Sequence, residues 1–96
     1  MDEVIEIVDT MENYFRGFAR KHGYDFKIKF NYANNSWDIS FKRKGGKRSY
    51  AKKISWDFIM HEASKGGSDI LFFCEEVVRE VGIALPKRTK KDKEND

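Results

Sequence analysis

The most basic segment of the chain is residues 43 to 53, which read RKGGKRSYAKK and carry six basic side chains around a Gly-Gly pair. Ammonium and guanidinium groups at this density attract phosphate or carboxylate groups. Lysine on edge strands also discourages association between sheets, and charged turns are often merely solvated. The bases here exceed what protecting an edge requires, so we expect a surface that binds a polyanion, with a solvated hairpin as the alternative.

Groups that could catalyse a reaction or hold a metal are few, because the chain has one cysteine and two histidines. His22 ends a predicted helix, where a cationic imidazole interacts favourably with the last carbonyl groups. His61 follows Asp57 by four residues, which places both on one helix face, but no nucleophile accompanies them. The Gly-Gly pairs at 45–46 and 66–67 lack the rest of a phosphate-loop motif. We expect a non-catalytic protein without a cofactor or a metal.

The composition describes one small globular domain. Ninety-six residues are too few for two cores, and an apolar content of 40% suffices for one. Cys74 lies in the apolar run ILFFC, which predicts a buried, reduced thiol. The N-terminus MDEVIEIVD is acidic, unlike a signal peptide, and no apolar stretch approaches the roughly 20 residues of a membrane span. We therefore expect a cytoplasmic protein with no membrane partner.

Apolar residues recur at steps of four and three between Glu3 and His22, which predicts an amphipathic helix that ends at Gly23. Acidic residues lead this segment and basic residues trail it, the polarity that the helix dipole favours. The predicted buried stripe is Val4, Val8, Met11, Phe15 and Phe18.

Apolar and polar residues then alternate in three segments, which predicts three antiparallel strands. The first segment begins at Tyr24, and tight turns at Asn34-Asn35 and Gly45-Gly46 separate it from the next two. If each turn has two residues, the register follows by counting. The facing pairs are then Tyr32–Trp37, Phe30–Ile39, Ile28–Phe41, Phe41–Tyr50 and Trp37–Ile54.

Two further helices complete the domain. Ser55 is the predicted cap of a short helix to about Ser64, and Ser68 of a second one over 69–81. Residues 1–86 are thus predicted to form a single α+β domain, a two-layer sandwich of order α-β-β-β-α-α with its helices on one face of the sheet. Residues 87–96, KRTKKDKEND, are predicted to be a disordered charged tail.

Charge is segregated along the chain. Residues 24–56 hold nine basic and two acidic side chains (net +7), whereas residues 57–86 hold two basic and six acidic ones (net −4). The predicted sheet is therefore basic on the face that the helices leave open. The predicted binding residues on this face and at the hairpin tip are Lys27, Lys29, Lys42, Arg43, Lys44, Lys47, Arg48 and Lys53.

The aromatic residues of the strands have the parity of the other face. Alternation places every one of them where the helices pack, so we expect core rings and not a platform on which bases stack. These residues are Tyr24, Phe26, Phe30, Tyr32, Trp37, Phe41 and Tyr50. Contacts from the basic face would then go mainly to phosphates, and binding would be sensitive to salt and weakly sequence-specific.

The order helix, three strands, helix is similar in topology to double-stranded RNA-binding domains, which also leave one sheet face bare. Those domains place a Lys-rich motif at the start of the final helix and a Gly-Pro-His type loop between the first strands. The corresponding segments here are SWDFIMHEA, SDILFF and the turn ANNS. No binding residue is carried over from that likeness.

Two functions fit this pattern. The first is a nucleic-acid-binding module that contacts duplex or structured nucleic acid through its phosphates, with the basic segment from Lys87 to Lys93 as a mobile arm. The second is a protein-binding regulator or inhibitor that docks on a partner surface of opposite charge.

Overall fold

Three antiparallel strands form one sheet in the computed structural model, which describes residues 2–86. The predicted α+β sandwich of order α-β-β-β-α-α is confirmed. The predicted charged tail, residues 87–96, lies outside the described residues. The elements are α1 (Asp2–His22), β1 (Tyr24–Asn31), β2 (Ser36–Arg43), β3 (Ser49–Ser55), α2 (Trp56–Ser64) and α3 (Ile70–Ala84).

Helix α1 buries one stripe against the sheet and the other two helices. The predicted stripe contained Val8 and Phe18, and both are only partly buried. That stripe repeats every 3.5 residues, whereas a straight helix turns every 3.6 residues and drifts away from such a repeat. The residues that the helix buries are Val4, Ile7, Met11, Phe15 and Ala19.

The turn between β1 and β2 is longer than predicted. Residues 32–35 form it, so it has four residues where two were expected. The side-chain Oδ1 of Asn31 accepts a hydrogen bond from the backbone N–H of Asn34 at 3.2 Å. Asn35 adopts the left-handed φ of 52° that Asn tolerates better than most residues.

The longer turn changes the pairing of β1 with β2. Phe30 lies opposite Trp37, and Phe26 opposite Phe41. The predicted pairs Tyr32–Trp37, Phe30–Ile39 and Ile28–Phe41 are therefore wrong by two residues. Because side chains alternate between faces with a period of two, this shift leaves the strand residues on their predicted faces.

The register predicted for β2 and β3 is confirmed, since Phe41 lies opposite Tyr50 and Trp37 opposite Ile54. The turn itself lies one residue earlier than predicted. The backbone N–H of Gly46 donates to the carbonyl of Arg43 at 2.8 Å, and Gly45 has the positive φ of 77° that favours glycine.

The ends of α2 agree with the sequence better than those of α3. Ser55 caps α2 as predicted, because its Oγ accepts the N–H of Phe58 at 3.1 Å. Ser68 does not cap α3: Asp69 occupies that position and forms no side-chain cap. Helix α3 also continues past Gly82 to Ala84, which brings Leu85 into the core at 3% exposure.

Phe41 on β2 lies at the centre of the core and is fully buried. Helix α1 packs over β1, while α2 and α3 pack near β3. Aromatic rings from α1, β1 and β3 converge on this side chain. Their ring centroids lie between 5.0 and 6.4 Å from that of Phe41. These rings belong to Phe15, Phe18, Tyr24, Phe26 and Tyr50.

Within residues 2–86, none of the helices combines the length and the apolar character needed to span a lipid bilayer.

Candidate functional site

The face of the sheet that points away from the helices, here called the open face, carries the predicted lysines. Lys27 and Lys29 on β1, Lys42 on β2 and Lys53 on β3 are all exposed. The sheet holds their Cα atoms at fixed spacing, about 4.8 Å between neighbouring strands and about 7 Å between alternate residues of one strand. Small side chains lie among them, because Ser40 and Ala51 are the cross-strand neighbours of Lys27.

The open face is not uniformly positive, because Asp38 lies between Lys29 and Lys53. Its carboxylate accepts hydrogen bonds from Asn31 at 3.0 Å and from Ser36 at 2.9 Å. These bonds, and then the Lys53 ammonium at 3.4 Å, hold the pKa of Asp38 below its usual value. A bound polyanion would therefore meet a fixed negative charge at this point of the sheet.

The hairpin tip, residues 44–48, extends the basic surface beyond the sheet. Lys44, Lys47 and Arg48 are exposed there. No hydrogen bond or ion pair engages their side chains within the described part of the chain. The backbone N–H of Lys44 donates to the carbonyl of Gly23 at 3.1 Å, which places Lys44 beside the end of α1. Lys44 thus lies at the end of the sheet where α1 ends and β1 begins.

Arg43 points to the other side of the sheet. Its guanidinium donates to the backbone carbonyl of Leu85 at 2.5 Å and to the Tyr24 hydroxyl at 3.1 Å. It also lies 4.9 Å from the centre of the Tyr24 ring, a cation–π contact. Arg43 was predicted to lie at the hairpin tip as a binding residue, but it is the last residue of β2, and its side chain joins this strand to the end of α3.

Replacement of Arg43 by Gln is expected to lower the free energy of unfolding by about 1.5–3 kcal/mol, because hydrogen bonds from a charged group to partly buried acceptors are lost. Urea denaturation followed by tryptophan fluorescence measures this. Arg48→Gln removes the same charge from an exposed position and should change the stability by less than about 0.5 kcal/mol. Equal losses in the two variants would contradict a structural role for Arg43.

Lys52 is a second base of the opening segment that faces the helices. Its ammonium lies 3.5 Å from the carboxylate of Glu80 on α3, which also accepts a hydrogen bond from the Tyr50 hydroxyl. The hydrogen bond from Tyr50 is the main reason that the pKa of Glu80 is lowered, while burial raises the pKa of Tyr50. Lys52 therefore helps to attach α3 to β3.

Most strand aromatics occupy the helix-covered face as predicted, and Tyr32 is the exception. It lies in the first turn and is 86% exposed, with its ring 4.9 Å from that of Phe30. Next to them, Trp37 and Trp56 stack at 5.4 Å with an interplanar angle of 11°. The core prediction for Tyr32 was wrong because it depended on a two-residue turn.

The groups considered for catalysis do not converge. His61 is exposed on α2, and His22 packs against the ring of Phe18 at 4.8 Å. Burial raises the pKa of the Cys74 thiol to about 12, so the thiolate nucleophile is not available near neutral pH. Among residues 2–86, His, Cys, Asp and Glu side chains form no group of three or more able to hold a metal ion.

Sequence reasoning missed a buried carboxylate on α2. Glu62 is 4% exposed, and its Oε2 has no hydrogen-bond partner within residues 2–86. Its Oε1 lies 3.5 Å from the ammonium of Lys65, which is also 2.8 Å from Asp69. The lysine therefore already supplies the cation at this place, in the turn between α2 and α3.

Comparison with protein-family models, with curated proteins and with solved structures gave no match to this chain. A function for this chain therefore has to be inferred from the geometry and charge of the site.

Proposed function

We propose that this protein is a non-catalytic nucleic-acid-binding module that holds a phosphate backbone on the open face and the hairpin tip. The observation that carries the proposal is the bare, basic face of the sheet. Lys27, Lys29 and Lys42 are exposed there, and within residues 2–86 no ion pair engages them. Lys53 is 61% exposed even though it approaches Asp38. Solvated ammonium groups carried on the rigid backbone of one sheet are an arrangement that attracts a polyanion.

Phosphates are a better match to this surface than bases. Apart from Tyr32 in the first turn, the aromatic residues of the strand segments lie on the helix-covered face, where Tyr24 and Phe41 are buried in the core and Phe26 packs against it. Lysine contacts to phosphate carry no sequence information by themselves. The proposed binding is therefore weakly sequence-specific and strongly dependent on salt.

Fluorescence anisotropy with labelled duplex DNA, single-stranded DNA and structured RNA tests the proposal directly. We expect binding to at least one of them at about 50 mM salt, with an affinity that falls steeply by about 200 mM salt because counterions are released. Shuffled sequences of equal length should bind equally well. Absence of binding to all three nucleic acids at low salt would overturn the proposal.

A protein partner is the second candidate function, and the outer surface of α3 favours it. Phe72 and Ile83 are 67% and 76% exposed on this helix, and Glu75 and Glu76 lie between them in sequence, also exposed. Exposed apolar side chains among charged ones are a feature of docking surfaces. The protein-partner hypothesis is favoured if nuclease-treated lysate yields one stoichiometric partner protein while the purified domain binds no nucleic acid.

We also propose a cytoplasmic location. The lone Cys74, buried and unpaired, supports it, because a chain without disulfides suits a reducing compartment.

A further inference from the structure

A cleft of about 200 Å³ lies at the outer edge of β1, where α1 ends. Its lining includes three basic residues, Arg16 and Arg20 of α1 and Lys44 of the hairpin tip. Asp25 and Phe26 of β1 also line it, and Asp25 is the cross-strand neighbour of Lys42 on the open face. Sequence reasoning missed it because its residues come from three separate segments of the chain.

One cation of the cleft, Arg16, is held in place before any ligand arrives. Arg16 follows Glu12 by one helical turn and forms an ion pair with it at 2.8 Å. Its guanidinium also lies 5.5 Å from the centre of the Phe26 ring. The backbone bond from Lys44 to Gly23, at 3.1 Å, fixes the main chain of Lys44 beside the end of α1 and leaves its side chain free to turn towards a ligand. The preorganisation of Arg16 reduces the ordering that binding requires of this side chain.

Two of the three cations are available to a ligand. The side chains of Arg20 and Lys44 are exposed and form no hydrogen bond or ion pair with any other residue in 2–86. Among residues 2–86, Asp25 is the one carboxylate in the lining, and Arg16 is already paired with Glu12. Guanidinium groups bind the paired oxygens of a phosphate well, and the cleft has room for one such group.

The cleft continues the open face around the edge of β1. Asp25, which lines the cleft, lies directly opposite Lys42 of the open face. Phosphates bound at both places would have to turn around the edge of a strand. Duplex DNA has a persistence length of about 50 nm and does not bend so sharply over a few phosphates, whereas a single strand does.

We propose that the cleft binds one phosphate of an unpaired nucleic-acid strand whose backbone continues onto the open face. This inference rests on the proposed function and specifies its ligand: single-stranded nucleic acid, or the unpaired part of a structured one. Arg20 and Lys44 contact the phosphate, and Arg16, held by Glu12 and Phe26, adds its charge to the wall of the cleft.

The test compares the full chain carrying Arg20→Gln and Lys44→Gln with the parent on single-stranded and duplex DNA of equal length. We expect the slope of log affinity against log salt on single strands to flatten by about 0.7, which is roughly a 5-fold loss at 0.1 M salt, and a smaller loss on duplex, which meets Lys44 only as part of the hairpin tip. Lys21→Gln with Arg79→Gln is the matched control. It removes two charges from exposed positions outside the cleft, Lys21 being adjacent to Arg20.

Three results would overturn the inference and are distinguishable. If the cleft variant matches the control while loss of the open-face lysines weakens binding, the cleft has no role but the proposed function stands. If the cleft variant weakens duplex and single-strand binding equally, the ligand is not specifically an unpaired strand. If the parent binds no nucleic acid, the proposed function fails and the cleft inference fails with it.

Discussion

Replacing Lys27, Lys29 and Lys42 by Gln is expected to produce the largest loss of binding of any exposed triple substitution. These lysines lie on one rigid face, so each can contact a phosphate without reordering of the sheet. For duplex DNA each phosphate contact contributes about 0.9 to the salt slope, or roughly 8-fold in affinity at 0.1 M salt. The triple variant should therefore flatten the slope by up to about 2.7 and bind roughly 500-fold more weakly.

The control for this variant removes the same charge from elsewhere. Lys21, Lys52 and Arg79 lie outside the open face, and their replacement by Gln also lowers the formal net charge of +3 by three. The open-face variant should keep the melting temperature of the parent to within a few degrees, because surface charges contribute little to stability. The control also loses the partly exposed ion pair between Lys52 and Glu80, which is worth about 0.2–1 kcal/mol, so both variants should remain folded. Equal losses of affinity in the two variants would show that net charge alone, and not the open face, governs binding.

Replacement of Phe41 by Ala is expected to have the largest effect on stability, about 3–5 kcal/mol. The ring is fully buried and lies among five other aromatic rings contributed by α1, β1 and β3. Removal of the ring leaves a cavity, and the three surrounding elements cannot all shift enough to fill it. The total free energy of unfolding of a small domain is only about 5–15 kcal/mol, so this substitution removes a large part of the stability.

Urea denaturation followed by tryptophan fluorescence measures this effect. If Phe41→Ala does not fold, Phe41→Leu keeps much of the volume and should cost about 1 kcal/mol, which remains measurable. Phe72→Ala is the matched control, since that ring is 67% exposed and its loss should stay within about 0.5 kcal/mol. A loss below about 1 kcal/mol in Phe41→Ala would show that the centre of the core lies elsewhere.

The fold could be predicted from sequence largely because one error did not propagate. The first turn has four residues instead of two, so the predicted partner of Trp37 was Tyr32 and the observed one is Phe30. A shift of two residues changes partners without changing faces. Lys27 and Lys29 accordingly lie on the open face as alternation predicted, although their cross-strand neighbours were predicted incorrectly.

The site could be predicted less completely. The alternation of side chains along a strand gives the face of each residue, but it does not say which helix residues the end of the strand contacts. Arg43 follows the alternation and faces the helices, but that its guanidinium binds the carbonyl of Leu85 depends on how far α3 extends. The cleft at the edge of β1 likewise depends on the packing of α1 beside Lys44. No short sequence pattern predicts either contact, since each joins residues more than twenty positions apart in the chain.

The separation of a basic sheet from acidic helices has a kinetic consequence. Lysines cover the open face, while Glu75, Glu76 and Glu80 are exposed on α3. The domain therefore has an electric dipole, and the field of an approaching polyanion exerts a torque on it before the surfaces touch. Encounters in which the sheet leads become more frequent than random tumbling would give. Added salt shortens the range of this torque to about one Debye length, roughly 8 Å at physiological ionic strength, so productive collisions become rarer even before any bound contact is weakened.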